Sequence, residues 1–420
     1  MKVWIFQTGE PVHSDLGQPR PMRAMNLANA LIDRGHRVTL WTSAFFHQEK
    51  RHRSLNYETH LVNNLIEIRL IPSRGYKKNI GLDRLTDHAQ LGLNLRAALR
   101  GENSVPDIAF IGYPTIEFAY IAVHWLNKKN IPTILDAKDQ WPEIFVDAFP
   151  KKLQFLADIA LSPYFYLARK TMRNATAFSS MSQSFLNWMS DFSGRSLTEN
   201  DYVAALSSMP YGMTVQEKLT SVEFWNRKLV FDDNRPRFFF VGSLAQGFDF
   251  KPVASLAKKS EEYGLGWQFV ICGDGDEKVT IQDHFQSFKN VIFPGWIDRP
   301  KIAALAEMST IALAPYKCTK DFMISIPNKV TDYLSMGKPI LTSLSGEVGQ
   351  LIEKNNCGLS YASKDLDQLF SDVKKLIEDR LLLEKTSVNA KETYNQVFSG
   401  EKVYQGLVDH IESLAVSAAK

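Results

Sequence analysis

A lysine and an acid that lie one helical turn apart, Lys329 and Asp332, form the clearest chemical pattern in this chain. They fall in the segment 325–340, SIPNKVTDYLSMGKPI, where Pro327 opens an amphipathic helix and Gly337 ends it before an apolar strand. A helix that begins at the carboxyl edge of a sheet directs backbone N–H groups and a positive dipole end at whatever lies above it. An ammonium group suits a phosphate and a carboxylate suits a sugar hydroxyl, so the segment predicts a nucleotide-sugar site.

A second polar cluster follows an apolar strand in the first half of the chain. The segment 135–150, LDAKDQWPEIFVDAFP, contains Lys138, Asp139 and Glu143 within a few positions. Charged residues at the carboxyl end of a strand are typical of the chemistry in doubly wound domains. The alternative is an N-cap at Asp139 followed by a solvated first turn.

Three glycine-containing turns in the second half also follow apolar strands. In 242–250, GSLAQGFDF, Gly242 would let the backbone approach a diphosphate, although plain strand-to-helix turns look alike. The D-x-D of 272–277, CGDGDE, is interpreted as a structural turn and not as a metal clamp. The segment 293–298, FPGWID, could bind a base or place a tryptophan in the core.

The connection after the first strand, residues 9–26, is long for a loop between a strand and a helix. Gly17 gives it flexibility, and Arg20 and Arg23 lie at the start of the next helix, where positive charge opposes the helix dipole. Either these arginines face an anion across a cleft or they are solvated. His13 lies on the same loop and could reach the cleft.

Composition limits the classes of protein that fit. The chain has 420 residues, 45% hydrophobic and 23% charged, with a net charge of +3, so two folded domains are expected and nucleic acid is not indicated as a partner. Three widely spaced cysteines argue against a disulfide framework. We find no metal-ligand spacing, signal peptide or apolar run of membrane-spanning length, so a cytoplasmic protein without a metal is expected.

Strands and helices alternate along both halves of the chain. This rhythm predicts an α/β fold with two doubly wound, Rossmann-like domains facing a central cleft. The N-terminal domain is expected to span 1–210 and the C-terminal domain 211–397, with the helix 398–416 packing back on the first. The region 192–235 is expected to be irregular, and 154–173 to be one helix. The predicted strands of the first half are KVWIFQT, HRVTLWTS, IEIRLIP, DIAFIGY, PTILDA and ATAFSSMS. The predicted strands of the second half are RFFFVGS, WQFVICG, NVIFPG, TIALAPY, PILTSL and CGLSYA.

Taken together, these segments resemble the family 4 glycosyltransferases, retaining enzymes of the two-domain GT-B architecture. The resemblance covers almost the whole chain, and the DAKDQWPE segment is similar to one found in a branch that builds bacterial surface polysaccharides. It rests on the segments LANALIDRGHRVTLWTS, DAKDQWPE, VGSLAQG, VICGDGD, FPGWID and SIPNKVTDYLSMGKPI, which occur in the family's order.

The resemblance implies a role for each donor-site position. Asp332 would bind the ribose hydroxyls and Lys329 the diphosphate. The remaining donor-binding positions are the backbone near Gly242 and Ser243, Trp296 and Ile297 at the base, and Gly17 and Arg20 from the first domain.

Three positions depart from the family pattern. Ile324 stands where the first acid of the E-x7-E motif is expected, Ser243 where an arginine is usual, and Lys138 where a histidine is frequent. Recognition of the donor sugar must therefore be supplied differently, and Lys329 or an arginine of the first domain must offset the diphosphate charge.

The expected activity is transfer of a sugar, with retention, from a UDP- or GDP-linked donor, without a further cofactor. Asp139 would orient the acceptor, supported by Lys138 and Glu143. The acceptor would be a saccharide or a polyprenyl-diphosphate-linked saccharide in O-antigen, capsule or exopolysaccharide synthesis. The aromatic, basic-ended segment 151–173 suggests contact with the inner membrane leaflet, or else a buried helix. A GT-B nucleotide-sugar epimerase and a non-catalytic nucleotide-sugar-binding protein are the alternatives.

Overall fold

The computed structural model describes residues 1–17, 19–79, 81–147, 149–207, 211–228, 235–361 and 365–418. The chain forms two compact units. One comprises Met1–Ser208 with Glu401–Lys420, and the other comprises Met209–Gly400. Each unit is a Rossmann-like α/β domain built on its own sheet.

The first unit contains a sheet of eight strands in the order β10-β9-β8-β7-β1-β2-β6-β5. All neighbours are parallel except β5, which runs antiparallel to β6 at the edge. A short antiparallel ribbon of β3 and β4 follows β2. The strands are β1 (Lys2–Phe6), β2 (Arg37–Ser43), β3 (Phe45–Phe46), β4 (Arg51–His52), β5 (Glu58–Leu61), β6 (Ile66–Ile71), β7 (Ile108–Tyr113), β8 (Thr133–Ala137), β9 (Ala177–Ser180) and β10 (Tyr202–Val203).

Helices cover this sheet, as the burial of its central strands requires. The segment 154–173 forms two helices that meet at Leu161, so the prediction of a single helix was wrong. Pro163 lies in the first turn of the second helix, a position that proline favours because its missing N–H is not needed there. The helices are α1 (Arg23–Asp33), α2 (Leu82–Arg100), α3 (Ile116–Asn127), α4 (Glu143–Asp147), a 3-10 turn (Lys151–Leu153), α5 (Gln154–Ala160), α6 (Ser162–Asn174) and α7 (Gln183–Ser193).

The second unit contains six parallel strands in the order β13-β12-β11-β14-β15-β16. The region 192–235, expected to be irregular, includes a helix at Val215–Lys228. The strands are β11 (Arg237–Val241), β12 (Gln268–Cys272), β13 (Val291–Gly295), β14 (Ile311–Ala314), β15 (Ile340–Thr342) and β16 (Gly358–Ser360). The helices are α8 (Val215–Lys228), α9 (Lys251–Glu262), α10 (Lys278–Asp283), α11 (Arg299–Glu307), α12 (Lys320–Ile324), α13 (Asn328–Ser335), α14 (Glu347–Asn355), α15 (Leu366–Glu378), α16 (Arg380–Thr393) and a π-helical turn (Tyr394–Phe398).

The last helix, α17 (Gly400–Ala418), returns to the first unit. Its apolar face, including Leu407 and Ile411, joins the buried cluster formed by β1, β2 and α1. Polar contacts fix its register, since Arg34 pairs with Asp409 at 2.6 Å and His36 pairs with Glu412 at 2.7 Å. The chain therefore finishes the core of its first unit only after the second unit is complete.

Each sheet has one place where successive connections leave in opposite directions. In the first unit it lies between β1 and β7, and in the second between β11 and β14. Crevices at the carboxyl ends of the strands form at such switch points, where ligands bind in doubly wound folds. Among the described residues, no helix is both long enough and apolar enough to cross a membrane.

Candidate donor and acceptor sites

A polar cavity of about 200 Å³ lies at the switch point of the first unit. Its walls come from the carboxyl ends of β1, β2, β7 and β8 together with the start of α2. Two predicted residues, Lys138 and Asp139, line it. The lining residues are Gln7, Thr8, Gly9, Glu10, Ser43, Phe45, His47, Tyr76, Arg84, Asp87, His88, Leu91, Tyr113, Pro114, Thr115, Lys138 and Asp139.

Lys138 is held by groups that follow the first strand. Its Nζ donates to Glu10 Oε1 and, at 3.2 Å, to Gln7 Oε1. The other Glu10 oxygen accepts the backbone N–H of Ala24, at 2.9 Å, in the first turn of α1. A carboxylate is favoured at a helix N-terminus. Glu10 therefore joins the cavity wall to α1 and holds the Lys138 ammonium in one place.

Arg23 was considered as a group that faces an anion across a cleft, and the structure corrects this interpretation. Its side chain is buried, with Nε 3.3 Å from Asp136 Oδ2, and one Nη donates to the Ala204 carbonyl at 2.7 Å. Asp136 is fully buried at the end of β8. A buried carboxylate needs such a partner, so Arg23 stabilises the first unit internally.

The two predicted donor-binding residues on the first long loop lie apart from this cavity wall. Gly17 is exposed with φ of +81°, in the left-handed region that favours glycine. Arg20 is half-buried just before α1. His13 Nε2 contacts Asn29 Oδ1 at 2.8 Å, so this histidine packs against α1.

The long loop is nevertheless ordered by a buried ion pair. Arg53 donates to both oxygens of Asp15, at 2.6 and 2.8 Å, and one Nη donates to the Glu10 carbonyl at 2.9 Å. Bidentate pairs of this kind fix geometry as well as charge. Arg53 thus positions the loop that carries Glu10.

Asp139 and Glu143 have different surroundings. Asp139 is exposed at the cavity, and its carbonyl accepts the N–H of Trp141. The helix α4 begins at Glu143, so Asp139 does not cap it. Glu143 Oε2 accepts the indole N–H of Trp188 at 2.6 Å, and Glu143 is not among the cavity-lining residues. The structure therefore brings Lys138 and Asp139 together and places Glu143 against α7.

Sequence reasoning missed a group of basic and aromatic residues on the opposite wall. Arg84 packs 4.5 Å from the centre of the Trp141 ring, and its Nε donates to His88 Nε2 at 3.4 Å. His47 Nδ1 lies 2.6 Å from the Tyr76 hydroxyl. The spacing of Arg84, Asp87 and His88, at i, i+3 and i+4 on α2, is the signal that could have identified this wall.

Both histidines are held in the neutral form. Burial is the main cause for each, and it lowers the pKa of His47 to about 4 and that of His88 to about 3. Nearby cations add to the effect, Lys50 and Arg84 at His47 and Arg84 at His88. Burial also raises the pKa of Asp87, whose carboxyl accepts the N–H of Gly75.

The second unit places Lys329 over the turn that follows β11. A Cβ built on Gly242 would lie 1.9 Å from Lys329 Nζ, and the φ of this glycine is +154°. The same ammonium lies 5.4 Å from the ring centre of Phe240 and 5.5 Å from that of Phe248. Because no larger residue fits at Gly242 without displacing it, this glycine fixes the position of the Lys329 charge.

The backbone of this turn is largely committed to the sheet. The Gly242 N–H donates to the Cys272 carbonyl at 3.0 Å, so it is not directed at a ligand as the resemblance implied. A Cβ on Gly273 would lie 1.8 Å from the Gly242 carbonyl oxygen. Asp274 accepts the N–H of Gly275 and pairs with Lys278 at 3.4 Å. The D-x-D turn thus makes structural contacts. Among the described residues, no group of three histidine, cysteine or acidic side chains could hold a metal ion.

The helix α13 carries both residues of the opening pattern. It begins at Asn328, just after Pro327, and Tyr333 fixes it to β11 by accepting the Val241 N–H at 3.1 Å. Lys329 and Asp332 are three residues apart and lie on neighbouring positions of one helix surface. Ile324 ends the preceding helix, α12.

The remaining predicted donor residues lie at the same carboxyl edge of this sheet. Ser243 is exposed directly after β11. Trp296 follows β13 and is 75% exposed, so the alternative of a core tryptophan was wrong, whereas Ile297 is 5% exposed. An exposed indole is a surface on which a flat base can stack.

Comparisons with known proteins agree with this architecture. Residues 235–379 match a family model described as "Glycosyl transferases group 1". The chain is 26% identical over 102 residues to TuaH of Bacillus subtilis (strain 168), named "Putative teichuronic acid biosynthesis glycosyltransferase", and the match spans 24% of this chain and 25% of that protein.

Solved structures are similar over nearly the whole chain. Sucrose-phosphate synthase of Thermosynechococcus elongatus superposes with a TM-score of 0.72 at 11% identity, covering 99% of both chains. HepE of Anabaena in complex with UDP gives a TM-score of 0.63 at 14% identity, covering 98% of this chain and 99% of that one. The chain therefore has the GT-B fold of two Rossmann-like domains, and the matches support its relation to the group 1 glycosyl transferases.

Proposed function

We propose that this protein is a glycosyltransferase that moves a sugar, with retention, from a nucleoside-diphosphate sugar to a saccharide acceptor. The observation that carries the proposal is the arrangement at the switch point of the second unit. There the Lys329 ammonium lies over Gly242, at the positive end of α13, within the segment that matches the family model. Fixed positive charge at this edge of a sheet suits a diphosphate.

The donor would be held as follows. Lys329 and the α13 dipole offset the charge of the departing diphosphate. The proposed transfer therefore needs neither a metal ion nor a further cofactor. Asp332 accepts from the ribose hydroxyls, and the base stacks on Trp296 beside Ile297. The HepE structures with UDP and UDP-glucose support a UDP-linked donor, and a GDP-linked donor is the competing choice.

The acceptor would bind in the cavity of the first unit. Asp139 is exposed at this cavity and can orient an acceptor hydroxyl, while Lys138 is fixed beside it by Glu10. In a retaining transfer the leaving phosphate takes the proton of that hydroxyl as the new glycosidic bond forms. Asp139→Ala should lower kcat at saturating donor and acceptor, and an unchanged kcat would remove Asp139 from the mechanism.

We place the reaction in the synthesis of a bacterial surface polysaccharide, such as an O-antigen, capsule or exopolysaccharide, on the cytoplasmic side of the membrane. The name of TuaH supports this setting. The acceptor could be lipid-linked, because the segment 149–166, which includes α5, exposes several apolar side chains beside Lys151 and Lys152, as a helix on an anionic membrane surface would. The exposed apolar residues are Phe149, Leu153, Phe155, Leu156, Ile159 and Tyr166.

Two experiments separate this proposal from its alternatives. A thermal-shift screen of nucleoside diphosphates and their sugars should show stabilisation by at least one of them, since a ligand that binds only the folded state raises its stability. Nucleotide release that requires an acceptor excludes an epimerase, and any turnover excludes a non-catalytic binding protein. Sedimentation with liposomes that does not depend on acidic lipid would contradict the membrane contact.

A further inference from the structure

Arg84 lines the cavity of the first unit, and a second cation, Lys50, lies against two of the lining residues, His47 and Tyr76. Arg84 Nη1 donates to the Asn79 carbonyl at 2.7 Å, and Lys50 Nζ donates to the Asn79 side-chain oxygen at 2.6 Å. Both cations lie against the Tyr76 ring, at 5.4 and 4.6 Å from its centre. Within the described ranges, neither cation has a carboxylate oxygen within 4.0 Å.

Each of the two nearby histidines accepts a hydrogen bond from one of these cations. His88 Nε2 accepts from Arg84, so the neutral ring carries its proton on Nδ1, a buried atom that has no hydrogen-bond partner. His47 Nδ1 accepts from the Tyr76 hydroxyl and from Lys50 at 3.1 Å, so its proton lies on Nε2. A buried donor without an acceptor costs free energy.

The acids of the cavity are already engaged elsewhere. Glu10 pairs with Lys138 and with the first turn of α1. Asp87 accepts the Gly75 N–H at 2.6 Å. Asp139 lies with Lys138 on the wall formed by β8. Asp87 belongs to the wall formed by α2, but it is bound to the backbone and is not paired with Arg84 or Lys50.

We propose that the acceptor carries an oxyanion, the carboxylate of a uronic acid or the phosphate of a sugar phosphate, which binds between Arg84 and Lys50. This inference rests on the proposed function, because it names the class of acceptor for the same cavity. An oxyanion gives both cations a counter-charge, and charge-assisted hydrogen bonds of this kind are about twice as strong as neutral ones. A neutral sugar leaves the two cations without counter-charge.

Titration calorimetry on the full chain at constant ionic strength tests the inference. The probes are glucuronate, glucose 1-phosphate, inorganic phosphate and, as the neutral match, glucose. We expect at least one anionic probe to bind and glucose to bind at least about tenfold more weakly, since hydrogen bonds to charged groups commonly change an equilibrium by that factor. If glucuronate binds more tightly than the phosphate probes, the anion of the acceptor is a carboxylate; if a phosphate probe binds more tightly, it is a phosphate.

Variants locate the binding. Arg84→Gln and Lys50→Gln should each weaken the anion about tenfold or more. The control is Arg100→Gln, an exposed arginine about 24 Å away at the other end of the same helix, which should leave the affinity unchanged. The inference is overturned if glucose binds as well as the anions, or if no variant differs from the control.

The pH dependence of anion binding tests the role of Lys50, because it would not change if Lys50 had only a structural role. Burial, and secondarily the charge of Arg84, lower the pKa of Lys50 to about 8. The titratable groups that face Lys50 are His47, Tyr76 and Arg84. Because the protonated lysine binds the anion, glucuronate affinity should fall as the pH rises through about 8 to 10, and Lys50→Gln should flatten this profile. A flat wild-type profile would contradict the role of Lys50.

UDP binding, measured on the same samples, separates the two proposals. If UDP binds and no anion does, the acceptor class is wrong and the transferase proposal stands. If neither UDP nor any other nucleoside diphosphate binds, the proposed function itself fails. The Arg84 and Lys50 variants should leave UDP affinity unchanged, because both residues lie in the first unit and the proposed nucleotide site lies in the second.

Discussion

The carboxyl group of Glu117 provides a quantitative test of the first unit. Glu117 lies in the first turn of α3, and its Oε2 accepts the Tyr164 hydroxyl of α6 at 3.0 Å. Burial, which is the largest cause, raises the pKa of Glu117 from 4.5 to about 7, and the charge of Asp87 adds to the rise. The folded state therefore favours the protonated acid more strongly than the unfolded chain does.

The sign of the effect follows from this difference. A carboxyl whose pKa is raised on folding contributes most to stability below its unfolded value of 4.5, and this contribution is lost as the pH rises to about 7. At about 1.4 kcal/mol per pH unit, the loss across that window is up to about 3 kcal/mol. Glu117→Gln keeps the shape of the side chain and removes the titration.

The assay is chemical denaturation followed by tryptophan fluorescence, for wild type and Glu117→Gln, between pH 4 and 8. The free energy of unfolding of the variant, relative to wild type, should rise by up to about 3 kcal/mol across this range, mostly between pH 4.5 and 7. Asp158→Asn, an exposed acid on α5, is the control and should follow the wild type. Parallel profiles for wild type and Glu117→Gln would refute the argument that burial controls this carboxyl.

Three further predictions concern the donor site and the first long loop. Gly242→Ala should displace the Lys329 ammonium and raise the Kd for UDP about tenfold. The control Gly212→Ala, where an added Cβ meets nothing within 4 Å, should leave this Kd unchanged. If the two variants bind UDP equally well, the Lys329 charge does not contact the diphosphate. Trp296→Ala should weaken UDP about threefold to tenfold through lost stacking, with a Tm close to that of wild type because the side chain is 75% exposed. Arg53→Met should lower the free energy of unfolding by about 3 kcal/mol, since it leaves a buried aspartate unpaired; a loss below about 1 kcal/mol, the range of exposed pairs, would contradict this.

The alternation of strands and helices in the sequence predicted the two-sheet architecture because buried parallel strands are continuous apolar runs. Elements without that signal were missed. The edge strand Glu58–Leu61 has polar and exposed residues, and Tyr202–Val203 is only two residues long. The helix Val215–Lys228 was missed because it buries only two of its residues, Ser221 and Trp225. An element that buries little apolar surface therefore has no clear apolar pattern in the sequence and is difficult to predict.

The candidate residues of the proposed donor site could be predicted together because they lie close together in sequence. Lys329 and Asp332 share one helix, and the glycine turn that receives the lysine follows a single apolar strand. The sequence did not show that the Gly242 N–H bonds to the sheet, since that bond depends on the register with Cys272. Local patterns thus selected the candidate residues, and tertiary contacts determined how each one is held.

The proposed acceptor cavity could not be predicted in the same way, because its groups come from segments far apart in the chain. Lys138 and its partner Glu10 are separated by 128 residues, and the Arg84 wall forms only when α2 packs beside the β3–β4 ribbon. The match to the family model likewise falls within the second unit, at residues 235–379. If the second unit binds a donor that many relatives share, the choice of acceptor must reside in the side chains of the first. The charges of Arg84 and Lys50 are then the features most worth comparing among proteins of this fold, because they distinguish an anionic acceptor from a neutral one.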